Sequence, residues 1–228
     1  MADPATDPAD ALRAIASDIS TCTACRLSEG RTRAVPGEGA SDADVMFIGE
    51  GPGYYEDQQG RPFVGAAGKL LDELLASIGW DRKDVYITNT VKCRPPNNRD
   101  PRDDELDLCE SLYLRRQLEI INPTLLVTLG RFSLTRLFPR QSISRARGQL
   151  LYKDGLAVYP IYHPAAALHQ QQWREIIVQD FKNLPAALEQ ARLRAAGAHD
   201  DHPPGPGAQE PASQTEGQSG CGEQLNLL

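Results

Sequence analysis

The sequence predicts an α/β fold of three layers, a central four-stranded parallel sheet covered by helices on both faces. Four short apolar runs, at residues 44–49 (DVMFIG), 85–88 (VYIT), 124–130 (TLLVTLG) and 156–162 (LAVYPIY), read as buried strands. Unbroken apolar runs of that length suit strands covered on both sides. Segments with helical spacing fall between and around them, and alternation of strand with helix is the pattern of parallel strands joined by crossovers.

Taken in order, residues 9–20 carry a short amphipathic helical pattern that ends at Cys22. The first strand is stopped by Gly49 and followed by a Gly/Pro turn. Residues 65–78 place Leu70, Leu71, Leu74, Leu75 and Ile78 at helical spacing, with Gly79 as a C-terminal stop. After the second strand, Asp100-Pro101 reads as an N-cap and first-turn proline of a helix that runs to about residue 121 and carries Cys109. Pro160 cannot donate to a ladder, so the fourth strand is expected at an edge or irregular there. A long helix over residues 173–195, interrupted at Pro185, closes the domain. Parallel sheets bind ligands in the loops beyond the carboxyl ends of their strands. Here those loops hold Gly49-Glu50-Gly51-Pro52-Gly53, Asn89 and His163-Pro164, which are expected to line one pocket.

The 228 residues hold one domain, residues 1–196, and a tail, residues 197–228, whose Gly, Pro, Gln and Ser leave little to bury and predict disorder. No apolar run reaches membrane-spanning length, so the expectation is a soluble, cytoplasmic protein with no membrane partner. The net charge of −7 argues against nucleic acid only at first sight. Four acids and one base precede Cys22, and five acids and no base follow Arg194, which leaves 22 acids and 23 bases between them. A near-neutral domain binds a phosphate backbone if its bases cluster on one face. Residues 92–102 and 131–147 are the local candidates, against the plainer reading of a solvated surface.

Cys22-x-x-Cys25, Cys93 and Cys109 form the strongest single signal, because thiolates drawn from distant parts of one chain usually hold a metal centre. A structural zinc favours two tight Cys-x-x-Cys hooks, and this chain has one hook and two separate cysteines. An iron-sulfur cluster accepts such spacing. Disulfides are the third reading, disfavoured because no secretory signal precedes the cysteines. Cys221, alone in the tail, reads as a free thiol.

Taken singly, the remaining motifs are weak. The glycines at 49, 51 and 53 lack the spacing of a dinucleotide fingerprint, and Gly65-Ala-Ala-Gly-Lys69 is no Walker loop. A lone Asn at a strand end is most often a turn residue, a lone His before Pro a satisfied histidine, and Phe63 core packing. In combination, Glu50-Gly-Pro-Gly53 with Glu56-Asp57, Gly60-Arg-Pro-Phe-Val-Gly65, Ile87-Thr-Asn89, Lys92-Cys-Arg-Pro95 and His163-Pro-Ala165 resemble the family 4 uracil-DNA glycosylases, the iron-sulfur branch of that superfamily. The resemblance spans about residues 22–185, with all four cysteines in place.

The resemblance implies an enzyme that flips uracil out of DNA and hydrolyses its N-glycosidic bond, with a 4Fe-4S cluster on Cys22, Cys25, Cys93 and Cys109 in a structural role. Phe63 would stack on the extruded base and Asn89 would read its edge, since a carboxamide bonds both O4 and N3–H of uracil whereas cytosine presents the opposite pattern. His163 would donate to uracil O2 as charge grows there. Where other branches place an Asp or Asn, this chain has Gly51, so water handling passes to Glu50 or Glu56, which the sequence does not separate. Residues 142–148 (SISRARG) resemble the loop laid against DNA, with Arg145 and Arg147 for phosphates and Ile143 for the gap left by the flipped base. No histidine occurs in that loop, so ordinary turnover is expected rather than a covalent link to DNA.

Gln224, Leu225, Leu227 and Leu228 look like a short peptide that docks on a bacterial sliding clamp. The expectation is a monomer acting on uracil-containing DNA in the nucleoid. Two other readings remain: an iron-sulfur nucleic-acid-binding or redox-sensing protein that kept the fold without catalysis, and a nucleotide-binding protein that uses the glycine loop.

Overall fold

The computed structural model describes residues 7–197 except residue 169. The tail and its clamp-like peptide lie outside the described residues. Four parallel strands form the centre: β2 (Val45–Gly49), β3 (Tyr86–Asn89), β4 (Leu125–Leu129) and β6 (Leu156–Ile161). Two short antiparallel strands, β1 (Glu38–Gly39) and β5 (Leu151–Lys153), cap the two edges, so the sheet has six strands in the order β1-β3-β2-β4-β6-β5. The expected four-stranded parallel sheet is thus the core of a wider one. The edge strands escape a sequence reading because two or three residues are too few for a period to show.

Every residue of β2, β3 and β4 is buried. Their side chains alternate between two apolar cores. Val45 and Phe47 face a core built with α3 (Ala66–Ser77), α8 (Gln171–Lys182) and α9 (Leu184–Ala195). Met46 and Ile48 face the other, closed by α1 (Pro8–Thr21) and α5 (Arg115–Ile121). A third cluster joins Ile15 and Ile19 of α1 to Val91, Leu106 and Tyr113, and packs around the cysteines.

Two expectations are corrected. Pro160 is not in an edge strand, because β6 lies between β4 and β5. Its carbonyl accepts from Gly148 N–H (2.9 Å) on the β5 side, beyond the last β5 pair at Val158. The missing N–H lies on that same side, so the ladder with β4 loses nothing. The helix expected from Asp100 begins later: α4 spans Asp103–Cys109, and Glu105 reaches back to the Arg102 N–H (2.8 Å) as its cap. One π-helical turn, Glu110–Leu114, follows Cys109 and leads into α5. The glycine-proline turn after β2 opens a helix, α2 (Tyr54–Gln59), and two more, α6 (Arg131–Leu137) and α7 (Ile143–Ala146), follow β4. The closing helix is interrupted two residues before Pro185, at Asn183, which separates α8 from α9 and leaves Pro185 in the first turn of α9.

Candidate functional site

Gly49 and Asn89 are register partners at the carboxyl ends of β2 and β3. Pairing continues one step further, with Thr90 N–H donating to Gly49 O and Val91 N–H donating to Glu50 O, each at 3.0 Å. That fixes Glu50 and Gly51 beside Asn89. A methyl on Gly51 would stand 2.7 Å from Val91 Cγ2, and one on Gly49 would stand 2.3 Å from Asn89 Oδ1 and 2.7 Å from Phe63 Cζ. Only glycine lets the amide and the ring close on one point. At the ends of β4 and β6, Gly130 N–H donates to Ile161 O (2.8 Å) and sets the chain that delivers His163.

Phe63 sits in the left-handed region with φ +50°, which costs energy in any residue with a Cβ and persists only where neighbours enforce it. Arg82 donates to Pro62 O (2.6 Å) and Phe63 O (3.1 Å). Glu56 Oε1 accepts from Val64 N–H and Gly65 N–H, both at 2.9 Å. Gly68 lies so close that a methyl there would be 1.9 Å from Phe63 O. Phe63 is 5% exposed, and its ring is inclined by 26° to the His163 ring with centroids 5.5 Å apart.

Glu50, Gly51, Glu56, Phe63, Asn89 and His163 all line one cavity of about 450 Å³, together with Asn98, Arg99 and Asp100. The pocket expected from three strand ends is therefore present. Asn89 is 2% exposed, and its Oδ1 has no hydrogen-bond partner. A buried acceptor left unpaired costs about 1–3 kcal/mol, so this atom awaits a donor. His163 Nδ1 accepts from Ala165 N–H (3.2 Å), which places the ring proton on Nε2. Burial lowers the His163 pKa to about 4, against the opposing pull of Glu56, so the imidazole is neutral at pH 7.

The two carboxylates separate cleanly. Glu56 is spent on structure: Oε1 holds Val64 and Gly65, and Oε2 accepts from Gly53 N–H (3.1 Å). Glu50 has no side-chain partner among the described residues, and burial, then repulsion from Asp100, raises its pKa to about 7 against the attraction of Arg131. An unpaired carboxyl poised near neutrality in a cavity is the usual signature of proton or water handling.

Cys22, Cys25, Cys93 and Cys109 line a second, mostly apolar cavity with Ile19, Leu108 and Leu112, and all four are free thiols. Donors point at the sulfurs: Arg31 to Cys93 Sγ (3.0 Å), Lys92 N–H to Cys109 Sγ (3.3 Å) and Ala24 N–H to Cys22 Sγ (3.5 Å). Such donors suit thiolates. Among the described residues no group of three or more His, Cys, Asp or Glu side chains is set to hold a metal ion.

The arginines expected to face DNA differ in their surroundings. Arg147 is a forked partner of Asp180, bonding Oδ2 through Nε (2.9 Å) and Oδ1 through a second nitrogen, and so braces the loop. Arg145 is exposed with no ion pair among the described residues, and Ile143 is half-buried. In the two basic runs, Arg99 pairs with Glu105, Arg131 with Asp100 and Arg136 with Asp107 and Glu110. Lys92, expected on a basic surface, is 1% exposed. Its Nζ donates to Thr88 Oγ1 (2.7 Å), Asn89 O (2.7 Å) and Gln117 Oε1 (2.6 Å). Lys92 and Arg82 are the two supports that sequence reasoning missed, since a charged side chain gives no local sign of being turned inward.

A cavity with an unpaired acceptor, a neutral imidazole donor and a free carboxyl suits recognition of a heterocycle and stabilisation of charge leaving it. Residues 36–183 match the family described as the uracil DNA glycosylase superfamily. The chain is 49% identical over 185 residues to the type-4 uracil-DNA glycosylase of Sulfurisphaera tokodaii, covering 77% of this chain and 84% of that protein. It is 48% identical over 184 residues to the type-4 uracil-DNA glycosylase of Archaeoglobus fulgidus, covering 77% and 92%, and 42% identical over 180 residues to that of Thermotoga maritima, covering 77% and 93%. The chain belongs to the uracil-DNA glycosylase superfamily, in its type-4 group. No helix among the described residues is long and apolar enough to cross a membrane.

Proposed function

We propose that this chain is a monofunctional uracil-DNA glycosylase of base excision repair, releasing uracil from DNA and leaving an abasic site. The observation that carries the reading is the buried, unpartnered Oδ1 of Asn89 in the same cavity as Phe63 and His163. Uracil N3–H satisfies that acceptor while Asn89 Nδ2 donates to O4. Cytosine turns an acceptor toward Oδ1 and leaves both groups unpaired. Stacking on Phe63 replaces the contacts the base loses when it leaves the helix.

Bond cleavage puts negative charge on the departing base and positive charge on the sugar. The Nε2–H of His163 donates to uracil O2, and the ring stays neutral because it is buried. Ionised Glu50 stabilises the sugar cation and orients the attacking water, while Glu56 holds the Phe63 loop in place. Arg145 and Ile143 meet the DNA, and Arg147 positions their loop through Asp180.

Cys22, Cys25, Cys93 and Cys109 hold a 4Fe-4S cluster in this reading. When bound it supplies a cross-link between the end of α1, the loop after β3 and α4, since hydrolysis requires no electron. The partner is uracil-containing DNA in the cytoplasm and nucleoid, met by a monomer, with residues 224–228 tethering it to a sliding clamp. Purified protein incubated with a labelled uracil oligonucleotide and then alkali is expected to cut at the uracil and to spare cytosine and thymine controls. An uncut uracil strand overturns the proposal.

A further inference from the structure

We infer that Tyr54 and Tyr55, at the start of α2, form a stacking platform for the nucleobase next to the extruded uracil, an inference that rests on the glycosylase reading. The two rings are 53% and 59% exposed and meet edge to face with centroids 5.5 Å apart. They add nothing to the cores and leave apolar area in water. They lie in sequence between Gly53 and Glu56, two residues that line the base cavity. Tyr54 directly follows Gly53 of the cavity wall, and a methyl on Gly65 would meet Tyr55 Cδ2 at 3.3 Å and Glu56 Oε1 at 3.4 Å.

Charge completes the platform. The Arg94 guanidinium lies 5.1 Å over the Tyr54 ring and is steadied by Asn98 Oδ1 (2.7 Å). Arg94 has no carboxylate partner among the described residues, and its neighbours Pro95, Asn98 and Arg99 line the same cavity. Extruding one base leaves each neighbour with a bare, flat, apolar face, and the phosphates beside it carry negative charge. A tyrosine pair under a cation matches both features at once. A protein partner would need a wider apolar patch than two rings, and nearness to the residues that line the base cavity favours nucleic acid.

The test pairs Tyr54→Ala/Tyr55→Ala with single-stranded uracil oligonucleotides that carry an abasic analogue on the 5′ side, on the 3′ side, or on neither. Single-turnover kcat/KM on the intact strand is expected to fall about 5- to 150-fold, the range for losing one base–aromatic stack. On one of the two analogues wild type and variant should converge, because the base that would stack is gone. Tyr54→Phe/Tyr55→Phe keeps the rings and should behave as wild type, which separates stacking from misfolding. An unchanged rate on the intact strand, or the same loss on both analogues, overturns the platform. Failure of the wild type to release uracil from any strand would instead remove the glycosylase reading.

Discussion

Replacing Asn89 with Asp changes one nitrogen into one oxygen and so isolates the hydrogen bond that distinguishes uracil. Oδ1 is unpaired among the described residues and Asn89 is 2% exposed, so a mismatch at this amide is buried. Bound to uracil, Asn89→Asp keeps the acceptor for N3–H but turns an oxygen toward O4. One buried carbonyl then loses its donor, at about 1–3 kcal/mol, or about 5- to 150-fold in rate. Burial in the same cavity already raises Glu50 to about 7, and the introduced carboxyl will be pushed upward for the same reason. In its protonated form that carboxyl donates to O4, so the loss should be larger at pH 8 than at pH 6. Toward cytosine the variant presents an acceptor for the exocyclic amine and, when protonated, a donor for N3. Single-turnover release from uracil and cytosine oligonucleotides at both pH values reads every part of this. An unchanged uracil rate, or no gain of cytosine relative to uracil, shows that Asn89 does not read the base.

In the proposed reading ionised Glu50 is the active form, so kcat should rise with pH through about 7 and then level; Glu50→Gln should flatten that limb, and Asp100→Asn, which removes a repelling charge, should move it to lower pH. A limb that survives Glu50→Gln assigns it to another group. His163→Ala should slow the chemical step by about 10²- to 10³-fold, the cost of one donor to a developing oxyanion, with affinity for an abasic product strand retained; the opposite pattern contradicts its role. Iron chelation should bleach visible absorbance and lower the melting temperature, because Cys22 and Cys25 tie α1 to Cys93 and Cys109; a colourless protein carrying one zinc ends the cluster reading.

The four parallel strands were legible because each is an apolar run ended by a glycine, asparagine or histidine, and the pocket followed from where such strands end. Phe63, Asn89 and His163 were legible only in combination. What stayed hidden is what depends on three-dimensional partners. Glu50 and Glu56 are the same chemical group six residues apart, and only the three backbone N–H groups gathered by Glu56 show that one of them is already occupied. Arg147 looked like a phosphate ligand because Asp180, 33 residues away, was invisible as its partner. Lys92 looked exposed for the same reason.

Lys92 also explains why a cysteine centre and a base pocket share one short segment. Its backbone N–H points at Cys109 Sγ, and its Nζ grips the carbonyl of Asn89 and the hydroxyl of Thr88. Three residues therefore separate the reader of the base from Cys93, and a single buried side chain spans the gap. The Asn89 amide must sit within tenths of an ångström of its place, since even a methyl on Gly49 would collide with it. A loop after a strand does not hold such tolerance by itself. In the proposed reading the loop is anchored on one side to the β2 ladder and on the other to a cluster on the cysteines, which gives rigidity where specificity needs it. On this argument, loss of the centre should relax discrimination between uracil and cytosine before it abolishes DNA binding.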